Sequence, residues 1–142
     1  ATLIPKSMRP NGPPLLVGSV YGRPRMTRLT LKYADYWNCF LAFGESTVER
    51  YRESWARVLK ACKQHGRDPN SLKRNVSLSV NIDTAPFPVP GLKPISGSSD
   101  QVVDQLVQFA AEGIEHCTIV LNPFTKGGVE AFAKIAEQVR SK

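Results

Sequence analysis

Asn75-Val76-Ser77-Leu78-Ser79-Val80-Asn81-Ile82-Asp83 alternates without a break, with Val76, Leu78, Val80 and Ile82 on one side and Ser77, Ser79 and Asn81 on the other. A strict period of two is the signature of a β-strand with one apolar and one polar face. Helices packed over that polar face would strand its hydroxyl and amide groups away from water, at a cost in free energy. The stretch therefore suits a strand covered by helices on one side only, its other side lining a polar barrel interior or a cofactor site. An open doubly wound sheet, by contrast, is covered on both faces.

The neighbouring segments repeat one theme. Leu15-Leu16-Val17 reads as a short buried strand. Pro24 suits the first position of the helix that follows, with Met26, Leu29, Thr30 and Tyr33 at helical spacing. Ala34 to Phe40 is aromatic and strand-like, ending near Gly44. A second helix begins at a cap on Ser46 or Thr47 and carries the stripe Val48, Tyr51, Trp55, Val58, Leu59 and Cys62. His65 in its last turn and Gly66 beyond it are a favoured cation and a favoured stop.

After the alternating strand comes a loop with four prolines, Pro86 to Pro94, ending in Ser96-Gly97-Ser98-Ser99. A loop of that length often carries function. Ser98 or Ser99 caps a third helix with Val102, Val103, Leu106, Phe109 and Ala110 inward, and Gly113 stops it. Ile114 to Leu121 is the last strand, and Val129, Phe132, Ala136 and Val139 stripe a terminal helix.

The expected order is thus βαβαβαβα over residues 14–142, preceded by an extended lead-in over 1–13, all in one domain. Helix-sized connections imply parallel pairing. Four such units form either an open sheet or half of a closed eight-stranded barrel, and the polar face of the third strand favours the half-barrel.

The chain has 142 residues and a formal charge of +7, so a nucleic-acid partner has to be weighed. The basic residues are dispersed, however. Arg50, Arg57, Lys60, Lys63 and Arg67 alternate with Glu49 and Glu53 in the pattern of a solvated helix face, with no interleaved aromatic stripe. No nucleic-acid partner is expected. No apolar stretch is long enough to cross a bilayer, and the first residues lack the pattern of a signal peptide. The absence of an initiator Met allows processing or a fragment. Cys39, Cys62 and Cys117 are an odd count without a CxxC pair. Cys62 and Cys117 read as small buried hydrophobes, and the expected compartment is the reducing cytoplasm. His65 and His116 have no ligand-spaced partners, so no metal is expected.

In βα folds, ligands gather at the carboxyl ends of the strands. That rim holds Gly18, Ser19, Asn38, Cys39, Asp83 and Asn122. Asn122, before Pro123, is read as a turn former. The turn Gly18-Ser19-Val20-Tyr21-Gly22-Arg23-Pro24-Arg25 is different, because arginines beside a helix N-terminus are not explained by turn geometry. Free backbone N–H groups, the helix dipole and a guanidinium fork together suit an anion.

Several stretches resemble the bacterial luciferase-like monooxygenase family: Pro13 to Gly18, Pro24-Arg25-Met26 with Leu29, and Tyr33 to Asn38. The similarity extends to Ala61-Cys62, Gly66-Arg67-Asp68-Pro69, Gly97 to Gln105, Gly113 to His116, and Val120 to Pro123. The resemblance covers nearly the whole chain. It implies the C-terminal half, strands five to eight, of a (β/α)8 TIM barrel that binds FMN or the deazaflavin coenzyme F420 and acts as an oxidoreductase or monooxygenase on a small organic substrate. It also implies that the missing half is supplied by an N-terminal half-barrel. A non-catalytic half-barrel that pairs with a second copy of itself and binds phosphate-bearing ligands is the alternative. The resemblance assigns the cofactor phosphate to Gly18, Ser19 and Gly22, with Arg23 or Arg25 nearby. Tyr21 is a candidate to pack on the cofactor, and Asn38 and the Pro86 to Pro94 loop are candidates for the pocket. The family's compact Gly-Gly-x-Gly-Pro-Arg-Met turn is lengthened here by Val20, Tyr21 and Arg23. No catalytic acid, base or nucleophile is assigned, and Trp37 is expected in the core.

Overall fold

In the computed structural model, which describes residues 6–10, 12–19, 23–83 and 86–142, the alternating strand lies at the centre of a five-stranded parallel sheet. The elements in order are β1 (Leu16–Gly18), α1 (Pro24–Tyr33), β2 (Tyr36–Phe40), α2 (Val48–His65), a 3-10 turn (Pro69–Ser71), β3 (Lys73–Asn81), β4 (Ile95–Ser96), α3 (Ser99–Ala111), β5 (His116–Asn122) and α4 (Lys126–Ser141). β1 pairs with β2 and β2 with β3, while β5 pairs with the other edge of β3. β4, only two residues long, shares the β2 side of β3 at Val80 and Asn81. Two residues are too few to leave a periodic signal, so β4 was hidden in the proline loop.

Each long strand lies beside its predecessor, so the four βα units advance in one direction. Right-handed crossovers then place all their helices on one face of the sheet. The core confirms this. Trp37, Cys39, Val76, Leu78 and Val80 pack against Tyr51, Val58 and Cys62 of α2, Val102, Val103, Leu106 and Phe109 of α3, and Ile135 of α4. The architecture is α/β with four βα units, matching half of an eight-stranded (β/α)8 barrel.

The opposite face carries Asn38 in register with Asn75, Asn81 in register with Asn122, and Ser77 and Ser79 between them on β3. Most are buried, and most of their bonds run sideways, although Asn75 Oδ1 is buried with no partner among the described residues. Ser77 Oγ donates to Asn38 Oδ1 at 3.1 Å, and Asn122 Nδ2 donates to Asn81 Oδ1 at 2.8 Å. Asn75 Nδ2 meets His116 Nδ1, and Ser79 Oγ donates to the Ala42 carbonyl. The polar face of β3 is therefore a laterally bonded ladder.

Several expectations need correction. Cys117 is exposed, because β5 has a partner on one edge only among the described strands. Cys39 does not belong to the rim: its thiol points into the helix layer, where burial pushes its pKa up to about 11. Leu59 and Ala110 lie at the outer margins of their stripes and are exposed, while Ile135, which the terminal stripe omitted, is its buried member. Arg67 is no solvated helix residue. It follows Gly66, whose left-handed φ of 67° ends α2, and reaches back to α1. There Nη1 donates to the carbonyls of Thr30 (3.1 Å) and Leu31 (2.8 Å), and Nη2 to that of Ala34 (2.8 Å). A guanidinium on the last carbonyls of a helix satisfies orphan acceptors and complements the dipole.

Candidate functional site

Three of the four α-helices begin with a hydroxyl cap. Thr47 accepts from the Arg50 N–H, Ser98 from the Gln101 N–H and Thr125 from the Gly128 N–H. α1 begins differently. Its N-cap is Arg23, which makes no side-chain cap bond, and its first turn holds no acidic residue. The positive end of this helix is left to whatever lies in front of it.

In front of it lies a cleft of about 370 Å³ at the carboxyl ends of β1 and β2. It is lined by Gly18, Ser19, Arg23 and Met26 from β1 and α1, by Asn38 and Phe40 from β2, and by Phe43, Glu45 and Arg50 from the segment that leads into α2 and from its first turn. The Phe40 and Phe43 rings pack together with centroids 5.3 Å apart, yet Phe43 remains 64% exposed. The cleft thus joins an apolar aromatic shelf to two guanidinium groups.

The fold does not itself require a glycine at position 18. Among the described residues, a Cβ there would meet the Asn38 carbonyl oxygen alone, at 3.8 Å, an ordinary contact. The space kept open by Gly18 belongs to the cleft. Ser19 behaves otherwise. Its side chain is buried, Oγ accepts from Trp37 Nε1 at 3.0 Å, and it lies 3.2 Å from Thr30 Oγ1. The hydroxyl fastens the turn to β2 and α1, and Trp37 sits in the core between Tyr51 and Trp55 as expected.

Of the residues assigned to the cofactor from sequence, Gly18, Ser19, Arg23 and Asn38 meet around this cleft. Arg25 is exposed and does not line it. Tyr21 and Gly22 lie outside the described residues. Asp83 and Asn122 sit at the ends of β3 and β5, away from the cleft lining, and Asn122 is tied to Asn81. No described residue of the Pro86 to Pro94 loop lines the cleft either. The loop is fastened to the cleft's rim instead: Ser46 N donates to the Lys93 carbonyl and Lys93 N to that of Gly44, each at 3.0 Å. Lys93 Nζ also binds the Glu45 carboxylate and holds its pKa below the usual value.

The sequence reading missed Phe43, Glu45 and Arg50. Arg50 is exposed, in keeping with a solvated helix face, and it lines the cleft as well because it sits in the first turn of α2, and a helix that follows a strand starts at the carboxyl rim. That topological signal was available. Among the described residues no group of His, Cys, Asp and Glu is arranged to hold a metal ion, and no helix is long and apolar enough to cross a membrane.

No protein-family model matches the sequence, and no curated protein does. Solved structures do match in fold. An F420-dependent secondary alcohol dehydrogenase, in complex with an F420–acetone adduct, aligns over 89% of this chain and 49% of its own, with a TM-score of 0.65 and 12% identity. An EDTA monooxygenase from Chelativorans sp. BNC1 aligns over 94% and 46%, with a TM-score of 0.65 and 17% identity. A coenzyme F420-dependent tetrahydromethanopterin reductase from Methanopyrus kandleri aligns over 90% and 50%, with a TM-score of 0.62 and 13% identity. The chain spans about half the length of the structures it matches.

Proposed function

We propose that this chain is the C-terminal half of a luciferase-like, flavin- or deazaflavin-dependent oxidoreductase, and that its cleft holds the cofactor's phosphate. One observation carries the reading: the α1 N-terminus, whose N-cap Arg23 makes no side-chain cap bond, opens onto a cleft where no described residue crowds Gly18. Backbone donors and a guanidinium at such an end suit a phosphate, and the phosphate is common to FMN and F420. Two of the fold neighbours are F420-dependent enzymes and the third is a monooxygenase, which supports the reading.

In this arrangement Gly18 and Arg23 grip the phosphate, Ser19 locks the turn through Trp37, and Asn38 with Phe40 faces the rest of the ligand. The bound cofactor supplies the redox chemistry, and the protein positions it and limits access of water. The remaining strands and the catalytic groups come from an N-terminal half-barrel. The test is co-elution of the purified chain with FMN or F420 on gel filtration, followed by absorbance. Retention of either cofactor is expected, and loss of both overturns the reading.

A second reading has its own observation. Among the described strands, β1 and β5 each have one unpaired edge, which invites pairing with a second copy. A dimer by sedimentation that retains neither cofactor favours this non-catalytic half-barrel.

A further inference from the structure

We propose that Arg50 is a second phosphate-gripping arm of the cleft, held aside by Glu53 until an anion arrives. The inference rests on the phosphate reading and names a residue that neither the sequence pattern nor the resemblance supplied. Arg50 lines the same cleft as Arg23 but comes from a different helix, α2 rather than the start of α1. It occupies the first turn of α2, where the helix dipole disfavours a cation. Its Nη1 is bonded to Glu53 Oε2 at 2.8 Å, and both side chains are about half exposed. An exposed pair of this kind is worth little, so a phosphate can take the guanidinium from Glu53 at small cost. A bidentate grip on a phosphate is the stronger alternative. The one carboxylate in the cleft lining, Glu45, is already engaged by Lys93, which limits its repulsion of an incoming phosphate. Arg23 from the start of α1 and Arg50 from the start of α2 would then both reach the ligand, while Phe40 and Phe43 offer it an aromatic shelf.

Fluorescence titrations of the chain with FMN, F420 and unphosphorylated riboflavin test this. Arg50→Gln is expected to weaken the phosphorylated ligand by about tenfold and to leave riboflavin unchanged. Glu53→Gln frees the arm and is expected to tighten the phosphorylated ligand severalfold. An Arg50→Gln chain that binds like wild type, or one that loses riboflavin equally, overturns the role of Arg50 alone. A wild-type chain that binds neither FMN nor F420 overturns the cleft reading beneath it, and this inference with it.

Discussion

α1 and α3 start in opposite ways. At α3, Ser98 and Gln101 form a reciprocal capping box, Asp100 faces the dipole, and Gly97 at φ 127° leaves no room for a Cβ against Gln101. Every feature there is explained by the protein's own bonds. At α1, the Arg23 side chain makes no cap bond, the first turn has no acid, and Gly18 has no crowding neighbour among the described residues. One helix start is completed by its own side chains, and at the other, where no described side chain does so, we place the ligand. A glycine or an arginine that the fold does not need is the better pointer to function.

The sharpest break of this comparison uses the two glycines. Gly97→Ala places a side chain in a strained backbone region against Gln101 and is expected to cost about 1–3 kcal/mol in urea denaturation. Gly18→Ala is expected to leave the urea midpoint nearly unchanged and to lower affinity for phosphorylated flavin by about tenfold or more, as a methyl group enters the cleft. Equal stability losses in the two variants would erase the distinction.

A smaller effect runs the other way. Arg23→Ser supplies α1 with the hydroxyl cap it lacks and is expected to raise stability by about 0.5–1 kcal/mol while weakening FMN or F420 binding. A gain in stability with undiminished binding would show that the bare helix end serves no ligand.

How much of this was legible in the sequence varies with the physics. The strict alternation of β3, a hydroxyl cap at Ser46 or Thr47 and at Ser98 or Ser99, and the stop at Gly66 follow from local rules, and the structure keeps all of them, with Thr47 and Ser98 as the caps. The rim was only half legible. Topology puts a strand's last residues at the carboxyl end, but side-chain direction alternates, so Asn38 faces the cleft while Cys39, one residue on, faces the helices. Ser19 was rightly placed on the turn, yet its bond to Trp37, eighteen residues away, has no sequence signature. Arg67 looked like a surface charge because its carbonyl partners lie on another helix more than thirty residues back.

The smallest effect checks that half-legible rim, since it is silent at neutral pH. The buried Cys39 thiol is expected to resist alkylation in the folded chain. Its folded pKa lies above its ordinary value of 9.0, at about 11, so the neutral form is favoured by folding. Its contribution to stability is full below pH 9.0 and is lost as pH rises toward 11. Cys39→Ala is expected to flatten that decline in a pH series of denaturation curves, and rapid alkylation at pH 8 would return Cys39 to the rim.

The measurement that bears most directly on the unfilled start of α1 is a paired titration of the wild-type chain with FMN and riboflavin, with F420 alongside. Tighter binding of a phosphorylated cofactor than of riboflavin, weakened by inorganic phosphate and by Gly18→Ala, is the predicted result. Equal affinity for FMN and riboflavin, or no affinity for any of the three, would contradict the account.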